Sequence, residues 1–281
     1  MMRKHRLIKL CIILYSLLAS YAFAYERIVS IGGGLTEAIF AIGAQDKIIA
    51  RDGTSYYPES VNELPDVGYM RMLDAEPIVA MNPDLILAKE GSGPASVLDQ
   101  IKALGVNIEI MPTVKSVDAL YAQITQLGAL LESQEAATEL NKKLKIQSEN
   151  LEVKKQNLTQ KPRVIGLLST SPGNYRVAGG STGIQLMINL TGAKNIFEDQ
   201  QGYKNIDAEG MLQANPDYIF IGQINEKNID AAKKQFLSTP VVGDNFTEDQ
   251  IIMYDPLILF NIGVRSLTTA EEIVDIYLER Q

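Results

Sequence analysis

The sequence predicts an α/β protein of two lobes, each with a central parallel sheet flanked by helices, linked by one long helix and leaving a ligand cleft between the lobes. Three observations carry that prediction. Short apolar runs alternate with helix-period segments along the chain, the stretch from Ser133 to Gln160 contains neither Gly nor Pro, and a Gly-Tyr, Asp-Ala-Glu, Asn-Pro-Asp unit occurs twice. A length of 281 residues suits two lobes of ordinary size.

The first segment stands apart from the rest. Arg3, Lys4, Arg6 and Lys9 precede an apolar run from Leu10 to Leu18, and Ala22-Phe23-Ala24 supplies a small-x-small cleavage pattern. Residues 1–24 therefore read as a secretory signal peptide, and the run is too short to span a bilayer. Cys11 lies well before the cleavage site and does not read as a lipidation cysteine. The mature product is expected to be free in solution outside the cytoplasm, as a monomer, with no direct membrane insertion.

Residues 25–132 form the predicted N-terminal lobe. Arg27-Ile28-Val29-Ser30-Ile31 reads as a buried strand, and Gly32-Gly33-Gly34 turns into a helix from Thr36 to Ile42. The glycine spacing is not G-x-G-x-x-G and no GK[ST] follows, so a tight strand-to-helix turn at the edge of a cleft is preferred to a nucleotide loop. Ile48 to Ala50 and Leu85 to Ala88 are further strands. Val97 to Leu104 reads as a helix ended by Gly105, Asn107 to Met111 as a strand, and Val117 to Leu131 as a helix.

Residues 133–161 form the predicted linking helix, about 40 Å long at 1.5 Å per residue, with Leu140, Leu144, Leu151 and Leu158 as a narrow apolar stripe. Pro162 stops it, and residues 162–281 form the C-terminal lobe, opening on the strand Val164 to Leu168. The repeat spans both lobes. Gly68-Tyr69, Asp74-Ala75-Glu76 and Asn82-Pro83-Asp84 match Gly202-Tyr203, Asp207-Ala208-Glu209 and Asn215-Pro216-Asp217. Asp74 and Asp207 are expected helix N-caps, with Glu76 and Glu209 in the first turns where a carboxylate suits the helix dipole.

Composition excludes several kinds of chemistry. Without residues 1–24 the chain carries 22 Lys+Arg against 34 Asp+Glu, a net charge of −12, and loses His5 and Cys11, its only histidine and cysteine. A chain so acidic is a poor nucleic-acid binder, because phosphate neutralisation needs a basic face. With no Cys there is no disulfide framework, thiolate nucleophile or iron–sulfur site, and with no His there is no Ser-His-Asp triad or His-ligated metal. The remaining ligating chemistry is carboxylate, phenolate and thioether.

These features resemble the two-lobed, single-helix-linked periplasmic substrate-binding proteins that serve ABC importers of haem, cobalamin and ferric siderophores. The resemblance covers essentially the whole mature chain. Within that class, Leu64-Pro65-Asp66-Val67-Gly68-Tyr69-Met70-Arg71 looks like the haem-binding branch. The resemblance implies a periplasmic protein, not an enzyme, that carries haem b (hemin) to an inner-membrane ABC permease dimer with its ATPase.

It implies Tyr69 as the axial ligand of the haem iron, with Arg71 beside it. Ferric iron is hard and favours an anionic oxygen donor. A phenol ionises near pH 10 unless a metal or cation helps, so Arg71 acts either on the phenolate or on a propionate. Tyr203, Arg176 and Arg265 are further candidates for haem contact, with packing or surface roles as their alternatives. Glu76 and Glu209 resemble the paired acids with which this class docks on its permease.

One departure bears on stoichiometry. Some haem-binding relatives carry a histidine just after the first strand of the C-terminal lobe, and here Leu168-Ser169-Thr170-Ser171-Pro172-Gly173 has none. Cobalamin or ferric-siderophore binding within the same class is the alternative function. An extracytoplasmic hydrolase using paired carboxylates, or a sensor built on the same fold, are alternatives of other classes. A single stiff connecting helix predicts a cleft that is largely pre-formed.

Overall fold

The computed structural model describes residues 25–169, 175–222 and 229–281. The expected signal peptide, residues 1–24, and Thr170 to Gly173 of the histidine-free stretch lie outside them.

The first sheet is four-stranded and parallel in the order β2-β1-β3-β4, from β1 (Ile28–Ile31), β2 (Ile48–Arg51), β3 (Leu85–Lys89) and β4 (Asn107–Met111). Its helices are α1 (Gly33–Ala41), α2 (Ala75–Ala80), α3 (Ala95–Ala103) and α4 (Val117–Leu130). Strands β1 and β3 are near-continuous apolar runs because both faces of the sheet are covered.

The second sheet has the order β10-β9-β5-β6-β8, from β5 (Arg163–Ser169), β6 (Tyr175–Ala178), β8 (Tyr203–Ile206), β9 (Tyr218–Gly222) and β10 (Ile251–Tyr254), with the two-residue β7 (Lys194–Asn195) beside β5. It is mixed rather than parallel throughout. β5, β9 and β10 run parallel, whereas β6 pairs antiparallel with β5 and with β8. The chain between Ser169 and Tyr175 is too short for the crossover that a parallel neighbour needs.

The long helix α5 (Gln134–Lys155) has 22 residues, about 33 Å, and so is shorter than the sequence predicts. It ends in turns in which Asn157 N–H and Leu158 N–H reach back to the carbonyls of Lys154 and Lys155. Asn and Thr favour such local bonding over helix, which ends the element ahead of Pro162. Leu144 and Leu151 of the expected stripe are buried, and Leu140 and Leu158 pack on the same core from its margin.

This helix joins the two halves by contact as well as by sequence. Asn141 Nδ2 donates to Tyr121 O and Thr125 Oγ1 of α4, at 3.0 and 2.9 Å. Gln147 Nε2 donates to Thr268 Oγ1 at 3.1 Å and Lys154 pairs with Asp275 at 2.8 Å, both on the last helix, α11 (Ser266–Leu278). One contiguous apolar core includes Leu85 and Leu87 of the first sheet, Leu144 and Leu151 of α5, and Phe220 and Ile273 of the C-terminal half. Separate clusters fill the far face of each sheet.

The sequence repeat is a structural one. Gly68 and Gly202 both have positive φ, 101° and 68°, and each carbonyl accepts a glycine N–H at 2.8 Å, from Gly53 and Gly179. Asn82 and Asn215 are both left-handed, at φ 49° and 47°, and end α2 and α7 (Ala208–Ala214) as such residues do. Asp84 accepts the backbone N–H of Arg27, and Asp217 that of Arg163, while the two guanidiniums donate to the carbonyls at the ends of those helices. The caps differ. Asp207 accepts Gly210 N–H at 2.7 Å, but Asp74 makes no such bond, because Pro77 stands where that donor would be.

Candidate functional site

The C-terminal ends of β1 and β3 open towards the second lobe, which is where parallel α/β sheets place their ligands. The Gly32-Gly33-Gly34 turn lies there. Gly32 has φ +114°, and its N–H and that of Gly33 are taken internally, by Asp52 Oδ1 at 2.8 Å and Thr54 Oγ1 at 3.1 Å. A Cβ on Gly33 would lie 2.3 Å from Thr54 O of its own lobe and 2.6 Å from Leu257 Cδ2 of the other, so glycine here permits both close approaches.

Tyr69 and Arg71 lie on the loop before α2. That loop is pinned to the one after β3, with Gly93 N–H donating to Met70 O and Leu73 N–H to Gly93 O, each at 2.9 Å. Met70 points into the core, which turns Tyr69 and Arg71 outward. Tyr69 is 49% exposed, and its phenol makes no hydrogen bond among the described residues. Met72, beside them, is also exposed.

From the other lobe, Tyr203 opposes Ala178 across β8 and β6, so it shares a face with Arg176, whose guanidinium carbon lies 5.8 Å from the Tyr203 ring centroid. Burial raises the Tyr203 pKa, and the positive charges of Arg176 and Arg71 oppose that rise. Arg71 and Arg176 thus act from opposite lobes on Tyr203, and Tyr69 lies on the same exposed loop as Arg71.

Arg265, the remaining candidate for ligand contact, is held at the junction of the lobes. Its Nε and Nη2 donate to Glu37 Oε1 and Oε2 at 3.0 and 2.9 Å, and Nη2 also donates to Asp255 Oδ2 at 3.0 Å. Its guanidinium lies 3.6 Å from the centroid of the Tyr57 ring, and Tyr56 OH donates to Asp255 Oδ1 at 2.6 Å. Two carboxylates and an aromatic face occupy this cation. Phe40, Tyr57, Pro58 and Val264 line a mostly apolar pocket of about 490 Å³ beside it.

Glu76 and Glu209 are exposed in the first turns of α2 and α7, one on each lobe. Sequence reasoning missed Lys89, at the end of β3. Its ammonium donates to Asn261 Oδ1 of the other lobe, and burial followed by Arg71 pushes its pKa down, opposed by Glu90. A lone charge closing the apolar strand Leu85-Ile86-Leu87-Ala88-Lys89 was the available signal. Among the described residues no group of three or more Cys, His, Asp or Glu is arranged to hold a metal ion, and no helix is long and apolar enough to cross a membrane.

Residues 28–245 match the periplasmic binding protein family. A vitamin B12-binding protein of Yersinia pestis (strain Pestoides F) is 30% identical over 252 residues, 88% of each chain. An uncharacterized ABC transporter substrate-binding lipoprotein, YvrC of Bacillus subtilis (strain 168), is 27% identical over 197 residues, which are 69% of this chain and 62% of that protein's length. Among solved structures, the periplasmic heme-binding protein RhuT from Roseiflexus sp. RS-1, in apo form, superposes with a TM-score of 0.80 at 28% identity, covering 90% of this chain and 98% of that one.

Proposed function

Because the chain belongs to the periplasmic binding protein family, we propose that it binds haem between its lobes outside the cytoplasm and delivers it to an ABC permease dimer with its ATPase. The observation that carries this reading is a half-exposed phenol, Tyr69, on one loop with Arg71, whose charge reaches Lys89 and also Tyr203 of the opposite lobe, where Arg176 acts too, on a chain whose charge without residues 1–24 is −12. Concentrated positive charge on so acidic a protein suits a ligand carrying carboxylates. The phenol suits a hard ferric centre, since it supplies an anionic oxygen once the iron lowers its pKa. Haem joins both features in one molecule, an iron and two propionates. Arg71 and Arg176 would meet the propionates or, in the case of Arg71, support the phenolate.

Glu76 and Glu209 serve as the docking acids. One exposed carboxylate on each lobe presents two like charges to a two-fold-related partner, a contact that governs orientation and encounter rate.

Cobalamin is the second reading, favoured by the 30% identical relative named for vitamin B12 binding. Corrin side chains are amides rather than carboxylates, so a cleft with several unneutralised cations suits it less well. The deciding experiment is an absorbance titration of the mature protein with haemin and, in parallel, with cyanocobalamin, repeated on Tyr69→Ala. Saturation near one equivalent of haemin, lost or spectrally shifted in the variant, is the expected result. Uptake of cyanocobalamin alone would replace the haem reading. Haemin binding unchanged by Tyr69→Ala would keep the function and remove Tyr69 as the ligand.

A further inference from the structure

Lys89 is the last residue of β3, a strand with neighbours on both sides in its sheet, so its side chain leaves the strand at the end that faces the second lobe. The backbone around it is fixed. Ser92 Oγ donates to Lys89 O at 2.6 Å, Ser92 N–H reaches the same carbonyl at 3.0 Å, and a Cβ on Gly32 would lie 2.8 Å from Lys89 Cβ. The ammonium spans the gap between the lobes to Asn261 Oδ1.

Its electrostatic surroundings are unusual for a lysine drawn out of water. Among the described residues Lys89 has no carboxylate within ion-pair distance, and neither do Arg71 and Arg176. Glu90, the adjacent residue, is turned aside, its carboxylate accepting Thr113 N–H at 3.1 Å. Arg71 stands close enough to repel Lys89, on the loop that Gly93 ties to the end of β3. A neutral amide is a weak partner for an ammonium compared with a carboxylate. Two like charges held together in partly dehydrated surroundings are costly unless an anion comes between them.

We propose that Lys89 is a specificity-determining residue: its ammonium, held at rest by the Asn261 amide of the opposite lobe, receives a carboxylate of the bound ligand. Lys89 then adds to Arg71 and Arg176 a cation that selects for the acid groups of the ligand over its ring. The inference rests on the proposed function for its choice of probe.

The test compares haemin with haemin dimethyl ester, in which the propionate charges are removed and the ring and iron are kept. Both are titrated into the mature protein, into Lys89→Met and into Lys89→Arg. Wild type is expected to favour haemin over the ester by about tenfold or more, the size of one charge-assisted hydrogen bond. Lys89→Met is expected to lose its own share of that preference, the remainder resting on Arg71 and Arg176, with a larger loss for haemin than for the ester, and Lys89→Arg to restore it. A Lys89→Met protein that keeps the full preference, or loses haemin and ester affinity in equal proportion, overturns the proposal and leaves Lys89 as a bridge between lobes. Lys89→Gln stands in if the Met variant does not fold. If wild type takes up no haemin, the haem reading fails by itself, and thermal melting in citrate decides the inference. Stabilisation of wild type and Lys89→Arg but not of Lys89→Met supports it, and equal shifts in all three overturn it.

Discussion

Replacing Arg265 by Met is the sharpest test of how the lobes are held. The guanidinium makes two bonds to Glu37 and one to Asp255, at 2.9–3.0 Å, and lies over the Tyr57 ring at 3.6 Å. The Glu37 and Asp255 side chains are each 7% exposed, so little water can replace the lost cation. Removing one partner of a buried ion pair costs about 3–5 kcal/mol, because the other charge stays buried and uncompensated. Arg265 is itself 21% exposed, which places the expected loss at the low end, about 3 kcal/mol. At about 2–4 °C per kcal/mol for a chain of this size, the melting temperature should fall by roughly 6–12 °C. Circular dichroism melts and urea titrations of the mature protein measure it. The double variant Glu37→Gln/Arg265→Met should recover part of the loss by removing one stranded carboxylate. An Arg265→Met protein within about 0.5 kcal/mol of wild type would refute the reasoning. If that protein also lost haemin, Arg265 would belong to the ligand, as the sequence led one to expect.

Two further outcomes follow from the same geometry. Burial holds the Glu37 carboxyl above its ordinary value of 4.5 in spite of Arg265, so between 4.5 and that raised value the folded state binds more protons than the unfolded one. The contribution of Glu37 to stability is therefore full below about pH 4.5 and is lost as pH rises through its folded pKa; the stability of wild type relative to Glu37→Gln should be greatest near pH 4 and shrink towards pH 7, and a difference that grows with pH would contradict this. Glu76→Lys and Glu209→Lys should leave haemin titrations unchanged yet weaken docking to the permease–ATPase complex in liposomes, with a penalty that falls as salt rises. A loss of haemin binding in either variant would move that glutamate from the docking surface into the cleft.

Much of this arrangement is legible in the sequence because it is local. In Val67-Gly68-Tyr69-Met70-Arg71 the apolar Val67 and Met70 turn inward and the rest outward, so a reader of the chain can tell that Tyr69 and Arg71 share an exposed loop. The repeat is legible because glycine, asparagine and aspartate occupy backbone positions that few other residues tolerate, at Gly68 and Gly202, Asn82 and Asn215, and Asp84 and Asp217. Asp74 stands at the N-cap as the sequence predicts, and the missing side-chain bond was legible too, since Pro77 has no N–H to offer it. The early end of α5 was harder, because no Gly or Pro marks it and only the weak preferences of Asn157 and Thr159 do. Arg265 and Glu37 are 228 residues apart, and Lys89 and Asn261 are 172 apart. Nothing in local pattern links such pairs. The trace they leave is a single charge in an apolar setting, Glu37 within Gly33–Ala41 and Lys89 closing Leu85–Lys89.

The same long-range contacts bear on how the cleft works. A connecting helix alone would let two lobes bend about its ends. Here α5 is packed into a core common to both lobes, with Leu144 and Leu151 buried between α4 and α11, so bending it would open apolar surface. The clasp of Glu37, Arg265, Asp255 and Tyr56 forms a second tether away from α5 in sequence, and Gly33 against Leu257 closes the space beside it. Two tethers at separate places resist rotation about either one. The residues proposed to meet the ligand are held by the same frame, since the Tyr69 loop is tied at Gly93 to the end of β3 and Lys89 reaches across to Asn261. The cleft is therefore expected to be nearly pre-formed, with selectivity set by where its cations and phenol already stand, and a solution scattering curve that contracts markedly on loading with haemin would count against that. On the proposed reading, the ligand is expected to change the local partner of Lys89, an amide exchanged for a carboxylate, rather than the angle between lobes.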